Sequence, residues 1–477
     1  MSRSEAPGGF FMTCDLKIGT CGQCVRAGVT CSGYRDPHQI RIENQTETIV
    51  TKALEKTSGH ELRALPLCVE SQAREAFFAH YVTGITRCWS FLRPYYQPNE
   101  HVGHLKLAIQ AVSLAYLWHQ VYSEESLALA RKKYMSALKA LRADLKDSKQ
   151  ATKDVTLLVS LLLDLFEKIT GSEAQNSMPW SSHVNGALAL VKFRGLETFQ
   201  DSSQFSLLTR INQNYMATCM ATASVPDEWT KIRNFLGDRS NDQRPTRRLS
   251  DLMVRYADLR SQLDTGLLSN EDAIEACVGL DSNLQALELD LPQSWQHQTT
   301  LIDHTSDNIL DLHYDTYLHR NICQAVNFRR LIRILLNETV IDRYTILSLD
   351  SESAELLQIA QANIEEISSA ICASVPQYVD CEAAARDKLL EPDGHRARHT
   401  HSPSHRADCY SLILPLYAVG RSKIHQDVRV WVLRQLRYMG SHFWIRNAEL
   451  VAQILENGTD VSIWNVYAML GSYAFTA

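Results

Sequence analysis

The sequence predicts a mostly α-helical protein, and three observations carry that prediction. Glycine and proline, the strongest punctuators of turns, number only 20 and 13 in 477 residues. Long period-two alternation of β-branched residues is absent, so extended sheet has no signature. Apolar residues instead recur at three- and four-residue spacing over long segments, the pattern of helices that bury one face. With 45 % hydrophobic and 21 % charged residues, the chain can bury a sizeable core. Its length suits two or three units of roughly 150 residues, or one large helical unit.

The elements follow in order. Residues 1–36 hold the stretch CDLKIGTCGQCVRAGVTCSGYRD, in which Cys14, Cys21, Cys24 and Cys31 have the spacing C-x6-C-x2-C-x6-C. A C-x2-C pair delivers two thiolates from one tight turn, and four thiolates suit a tetrahedral zinc ion. VRAGVT, between Cys24 and Cys31, fits a short helix closed by Gly28. Such a site supplies folding energy that so short a segment cannot draw from a core. The alternative is a run of reduced cysteines with no metal. Residues 37–66 are polar and of mixed charge and read as a linker, leaving residues 67–477 as a large helical body.

Within that body Ser123 is an N-cap for EESLALARKKYMSALKALRADLK, which places Leu127, Ala130, Tyr134, Leu138, Leu141 and Leu145 on one face. VTLLVSLLLDLFEKI, residues 155–169, is too short to cross a membrane, contains Asp164 and reads as a buried helix. Polar breaks at 237–248 and 391–408 read as loops. The second break carries His395, His399, His401 and His405, which read as a flexible polar insertion because no cysteine or carboxylate pattern accompanies them. Near the end, HQDVRVWVLRQLRYMG lines up Val428, Trp431, Val432, Gln435, Leu436 and Met439, with Gly440 as the expected C-cap. Arg429, Arg434 and Arg437 on its other face are expected to be solvated or paired with acids. Trp180, Trp431, Trp444 and Trp464 are expected in the core rather than around an effector pocket.

Composition excludes several classes. A formal charge of −6 and a pI near 6.3 do not suit a chain that coats nucleic acid with a broad basic surface. The N-terminal MSRSEAPGGFFMT lacks the apolar run of a signal peptide, and no membrane partner is expected. Eight of the twelve cysteines lie singly along the chain, as in a reduced intracellular protein. Phosphate loops, dinucleotide-binding glycine motifs, H-E-x-x-H and G-x-S-x-G are all missing. The chain is therefore not expected to be an enzyme.

Beyond spacing, the residues are similar to a known family. C-D-x5-C-x2-C-x3-G-x2-C followed by SGYRD resembles the second half of the fungal binuclear zinc cluster, Zn2Cys6, and HQIRIENQTETIVTKA resembles the connecting stretch of one subgroup. EAFFAHYV, LLLDLFEKIT, WSSHVNGALALVKFRG, LILPLYAVG and VRVWVLRQLRYMG, in that order, resemble the helical fungal-specific transcription factor domain. The resemblance implies a nuclear regulator of RNA polymerase II transcription. Its zinc cofactor is held by Cys14, Cys21, Cys24 and Cys31, matching the third to sixth ligands of the cluster, with Asp15 as the matching aspartate. Its implied partners are DNA, a second copy of the chain and transcriptional co-regulators. No sustained heptad follows the cluster, so a coiled-coil dimer is not expected.

One departure governs the expected mechanism. In the family a C-x2-C-R-x-R-K-x-K-C segment supplies two further ligands and the helix that enters the major groove. This sequence has SRSEAPGGFFMTC there. Residues 1–35 carry Arg3, Lys17, Arg26 and Arg35 against Glu5 and Asp15, a net of +2. Specific DNA binding rests on several phosphate contacts plus base contacts. Contact through Lys17, Arg26 and Arg35 alone is thus expected to be weak or absent. The alternative is a helical regulatory or protein-interaction protein that has lost DNA binding.

Overall fold

Local sequence sets where the helices begin and end. The computed structural model describes residues 17, 19–31, 68–83, 89–96, 103–121, 123–170, 180–240, 245–303, 306–347, 351–379 and 403–471. The chain divides into two units, Met1–Leu67 and Cys68–Ala477. In the first the described element is a short helix, α1 (Gly22–Ala27). The second is mostly α-helical, and its one sheet among the described residues is a two-stranded hairpin.

The second unit starts with α2 (Val69–Phe77), which runs into a wider π-turn at Phe78–Val82, and α3 (His104–Val121). Ser123 caps α4 (Glu124–Asp144) by accepting the Ser126 N–H at 3.2 Å. Leu127, Ala130 and Leu141 are buried and Tyr134 and Leu138 pack beside them. Leu145, the last member of the expected stripe, lies beyond the final helical turn and is exposed. After a single turn, α5 (Ser148–Ala151), comes α6 (Asp154–Thr170), the apolar segment. It is buried nearly all round because α3, α4, α7 (Trp180–Arg194) and α8 (Ser202–Thr222) all pack on it. Asp201 and Gln204 form a reciprocal capping box at the start of α8. No helix among the described residues is long and apolar enough to cross a membrane.

Helix α9 (Asp227–Ser240) and α10 (Pro245–Asp264) correct the expected loop at 237–248: both ends of that stretch are helical, and residues 241–244 lie outside the described residues. Proline at the first position of α10 has no N–H to leave unpaired there. Helix α11 (Asn270–Leu289) follows, then the hairpin β1 (Gln298–Leu301) and β2 (His313–Thr316), paired antiparallel with Gln298 opposite Thr316. Four-residue strands are too short for alternation to announce them.

Helix α12 (Arg320–Leu347), at 28 residues, spans about 42 Å. It lies between α11 and α13 (Ser351–Ala373). Its basic run NFRRLIR is internal. Arg333 makes a two-pronged pair with Asp281, at 2.7 and 3.0 Å. Arg330 donates to Asn327 Oδ1 and the Ala370 carbonyl at 3.0 Å each, and Arg329 meets Glu288 at 2.6 Å.

The turn α14 (Pro376–Val379) is followed by α15 (Pro403–Tyr410), so the second expected loop, 391–408, ends in helix. His405 sits on that helix and its ring hydrogen-bonds the Tyr378 carbonyl at 2.8 Å; His395, His399 and His401 lie outside the described residues. Helix α16 (Ile413–Arg421) is the hub, touching α12, α13, α17 (Gln426–His442), α18 (Arg446–Glu456) and α19 (Ile463–Met469). Pro415 is accommodated in its first turn.

Gly440 is not the C-cap of α17. The helix runs on to His442, and the left-handed residue beyond it is Trp444, at φ 59°. Gly440 instead permits the close approach of α18, since a Cβ there would lie 3.0 Å from Glu449 Cβ. The arginines of α17 are satisfied. Arg429 donates to the Gly420 and Leu455 carbonyls, Arg434 meets Asp307, and Arg437 meets Glu449 and Glu456. Trp431 and Trp464 are core residues as expected, whereas Trp444 is 54 % exposed.

Candidate metal centre

In the first unit, α1 converts a spacing into a cluster. Cys21 stands at the N-cap with an extended backbone, and its Sγ accepts the Cys24 N–H at 3.3 Å. That bond satisfies one of the orphan donors at a helix start and turns both sulfurs of the C-x2-C pair to the same side. Gly28, at φ 63°, closes the helix in the left-handed conformation that a glycine adopts without strain. The reversal brings Cys31 back to the pair. The Sγ atoms of Cys21, Cys24 and Cys31 all lie within 4.8 Å of one another.

The donor set fits a soft or borderline cation. Tetrahedral zinc at about 2.3 Å from each sulfur requires sulfur–sulfur separations of about 3.8 Å, which a cluster this tight reaches with small side-chain rotations. Cys21 is buried and the other two are half-buried. Hydrogen bonding to Cys21 first, then burial and Cys31, pushes the Cys24 thiol up to about 12. Ionising one thiol among two others gathers negative charge with nothing to offset it. A cation reverses that balance and holds all three as thiolates. Three sulfurs leave one tetrahedral position for a further ligand. Cys14, expected to fill it, lies outside the described residues, as do Asp15 and Arg35. Lys17 and Arg26 are exposed.

Among the described residues this is the one grouping of histidine, cysteine or acidic side chains close enough to share an ion. The remaining described cysteines stand apart from it. Cys219, Cys277, Cys323, Cys372 and Cys409 are buried, and burial raises Cys277 to about 12 and Cys323 to about 11, which makes them packing residues rather than nucleophiles. The polar cluster that most resembles a catalytic set is Tyr134, Glu167 and His183. The histidine Nε2 lies 3.0 Å from the tyrosine oxygen and 3.1 Å from the carboxylate. The tyrosine hydroxyl also donates to Glu167. These groups sit on α4, α6 and α7 and tie the three helices together.

Compared with family models, curated proteins and solved structures, the chain matches none.

Proposed function

We propose that the chain is a fungal-type transcriptional regulator whose N-terminal cysteine segment holds one zinc ion and whose helical unit carries the regulatory activity. The observation that carries the reading is the approach of Cys21, Cys24 and Cys31 to within 4.8 Å. The order of helical blocks that resembles the fungal-specific transcription factor domain adds to it. In this reading Cys14 completes the tetrahedron, the protein works in the nucleus, and it regulates rather than catalyses. Direct DNA contact by Lys17, Arg26 and Arg35 is weak, because three cations give few phosphate contacts and the sequence has SRSEAPGGFFMTC where the resembled family carries its basic groove-reading segment.

The test separates regulation from DNA reading. The full chain is fused to a heterologous DNA-binding domain and expressed in a fungal cell with a matching reporter gene. The expected result is a several-fold change in reporter transcription that depends on the tether. An unchanged reporter with the fusion protein present in the nucleus contradicts the proposal.

A further inference from the structure

A cavity of about 40 Å³ opens in the helical unit between the π-turn that follows α2, α3, α15 and the segment linking α17 to α18. Its walls include Tyr116, His119, Gln120, Arg406, Tyr410 and Trp444. The charge in it is not compensated as a folding ion pair would be. Arg406 Nη1 donates to the neutral Gln120 side chain at 3.1 Å. No carboxylate among the described residues pairs with Arg406, and its Nε is buried without a hydrogen-bond partner. An arginine presents a planar fork of donors that matches a carboxylate in two-pronged geometry. The buried Arg333, by contrast, meets an acid, Asp281, and the buried Arg330 has donors taken by the Asn327 side chain and the Ala370 carbonyl. Arg406 has the one Gln120 contact, and the cavity lies beside its unpartnered Nε.

The surroundings suit a negative guest. His119 is driven down to about 4, by burial first and then by the charges of Arg446 and Arg406, so it remains neutral while the local field stays positive. The volume accommodates on the order of three water-sized groups. That is the size of a carboxylate head and not of a whole drug-sized molecule. The rest of a ligand must lie at the mouth. Trp444 stands there, 54 % exposed, with its backbone in the left-handed region at φ 59°. The C′ position after a helix ordinarily takes glycine, and a bulky side chain there costs about 1–2 kcal/mol. Strain of this kind collects at ligand sites.

We propose that this cavity binds a small organic acid, its carboxylate seated on Arg406 and its apolar body lying against Trp444. The proposal does not depend on the metal centre or on the regulatory reading. Benzoate is the probe, with benzyl alcohol as its uncharged counterpart, titrated into the purified full chain by calorimetry. Benzoate is expected to bind saturably, and benzyl alcohol at least tenfold more weakly. Arg406→Gln should weaken benzoate at least tenfold. Trp444→Gly should weaken it several-fold while leaving the melting temperature unchanged or higher, because glycine relieves the left-handed strain. That second variant keeps the test decisive if Arg406→Gln fails to fold. Absence of saturable benzoate binding, equal affinity for benzyl alcohol, or full affinity in either folded variant overturns the proposal.

Discussion

Replacing Arg333 by alanine is expected to lower the stability of the helical unit by about 3–5 kcal/mol, the cost of leaving one charge of a buried pair uncompensated. Arg333 grips both oxygens of Asp281 and links α12 to α11 with side chains only 6 % and 11 % exposed. Truncation leaves the Asp281 carboxylate facing the α11–α12 interface with its strongest partner gone. The denaturant midpoint of the full chain reads the loss. Arg434→Ala is the control: its pair with Asp307 is more than half exposed on both sides, and the expected change is under about 1 kcal/mol. Equal losses in the two variants would contradict the account. Replacing Arg333 and Asp281 together by apolar residues of similar size should recover much of the loss, since the penalty belongs to the unpaired charge.

Asp164→Ala is expected to have an effect of similar size, about 3–5 kcal/mol, for the same reason with the sign of the charge reversed. Asp164 sits in the most apolar helix of the chain and accepts from Lys168 at 2.9 Å and Asn214 at 2.7 Å. Burial pushes its carboxyl up in spite of the neighbouring lysine, so the site tolerates a charge at some cost and holds it only with these donors in place. Alanine takes from Lys168, whose side chain is 5 % exposed, the carboxylate that it donates to at 2.9 Å. Asp164→Asn keeps an acceptor for Lys168 and should lose distinctly less. A thermal melt that ranks the two variants the other way would show that Lys168 is not held by this contact.

Residue pattern made some parts of this molecule legible and physical context hid others. Helix α4 announced itself because an N-cap serine, early acids and a three-to-four spacing agree. Helix α6 did so because its apolar run is too short for a membrane and too long for a strand. The cysteine cluster was readable in three of its members, since C-x2-C and the glycine that reverses the chain act over a few residues. The end of α17 misled because Gly440 is used for the approach of α18, a tertiary demand that leaves the same residue as a cap would. Trp444 misled in the opposite direction: a tryptophan in a helical stretch is ordinarily core, and nothing local reveals a left-handed backbone. The basic run on α12 gives no sign of being internal, because its partners Asp281, Glu288 and Ala370 lie about 40 or more residues away in sequence. The cavity beside Arg406 was illegible for that reason too, since Gln120 and Arg406 in its walls are 286 residues apart.

The claim that matters most is that the N-terminal thiols form a metal centre. Elemental analysis of the full chain, purified from zinc-supplemented cells, tests it most directly, with Cys24→Ser prepared in parallel. The account predicts about one zinc ion per chain, bound at neutral pH and released on acidification as protons reclaim the thiolates, and its loss in Cys24→Ser. A chain that carries no zinc, or the same zinc with Cys24 replaced, would contradict it.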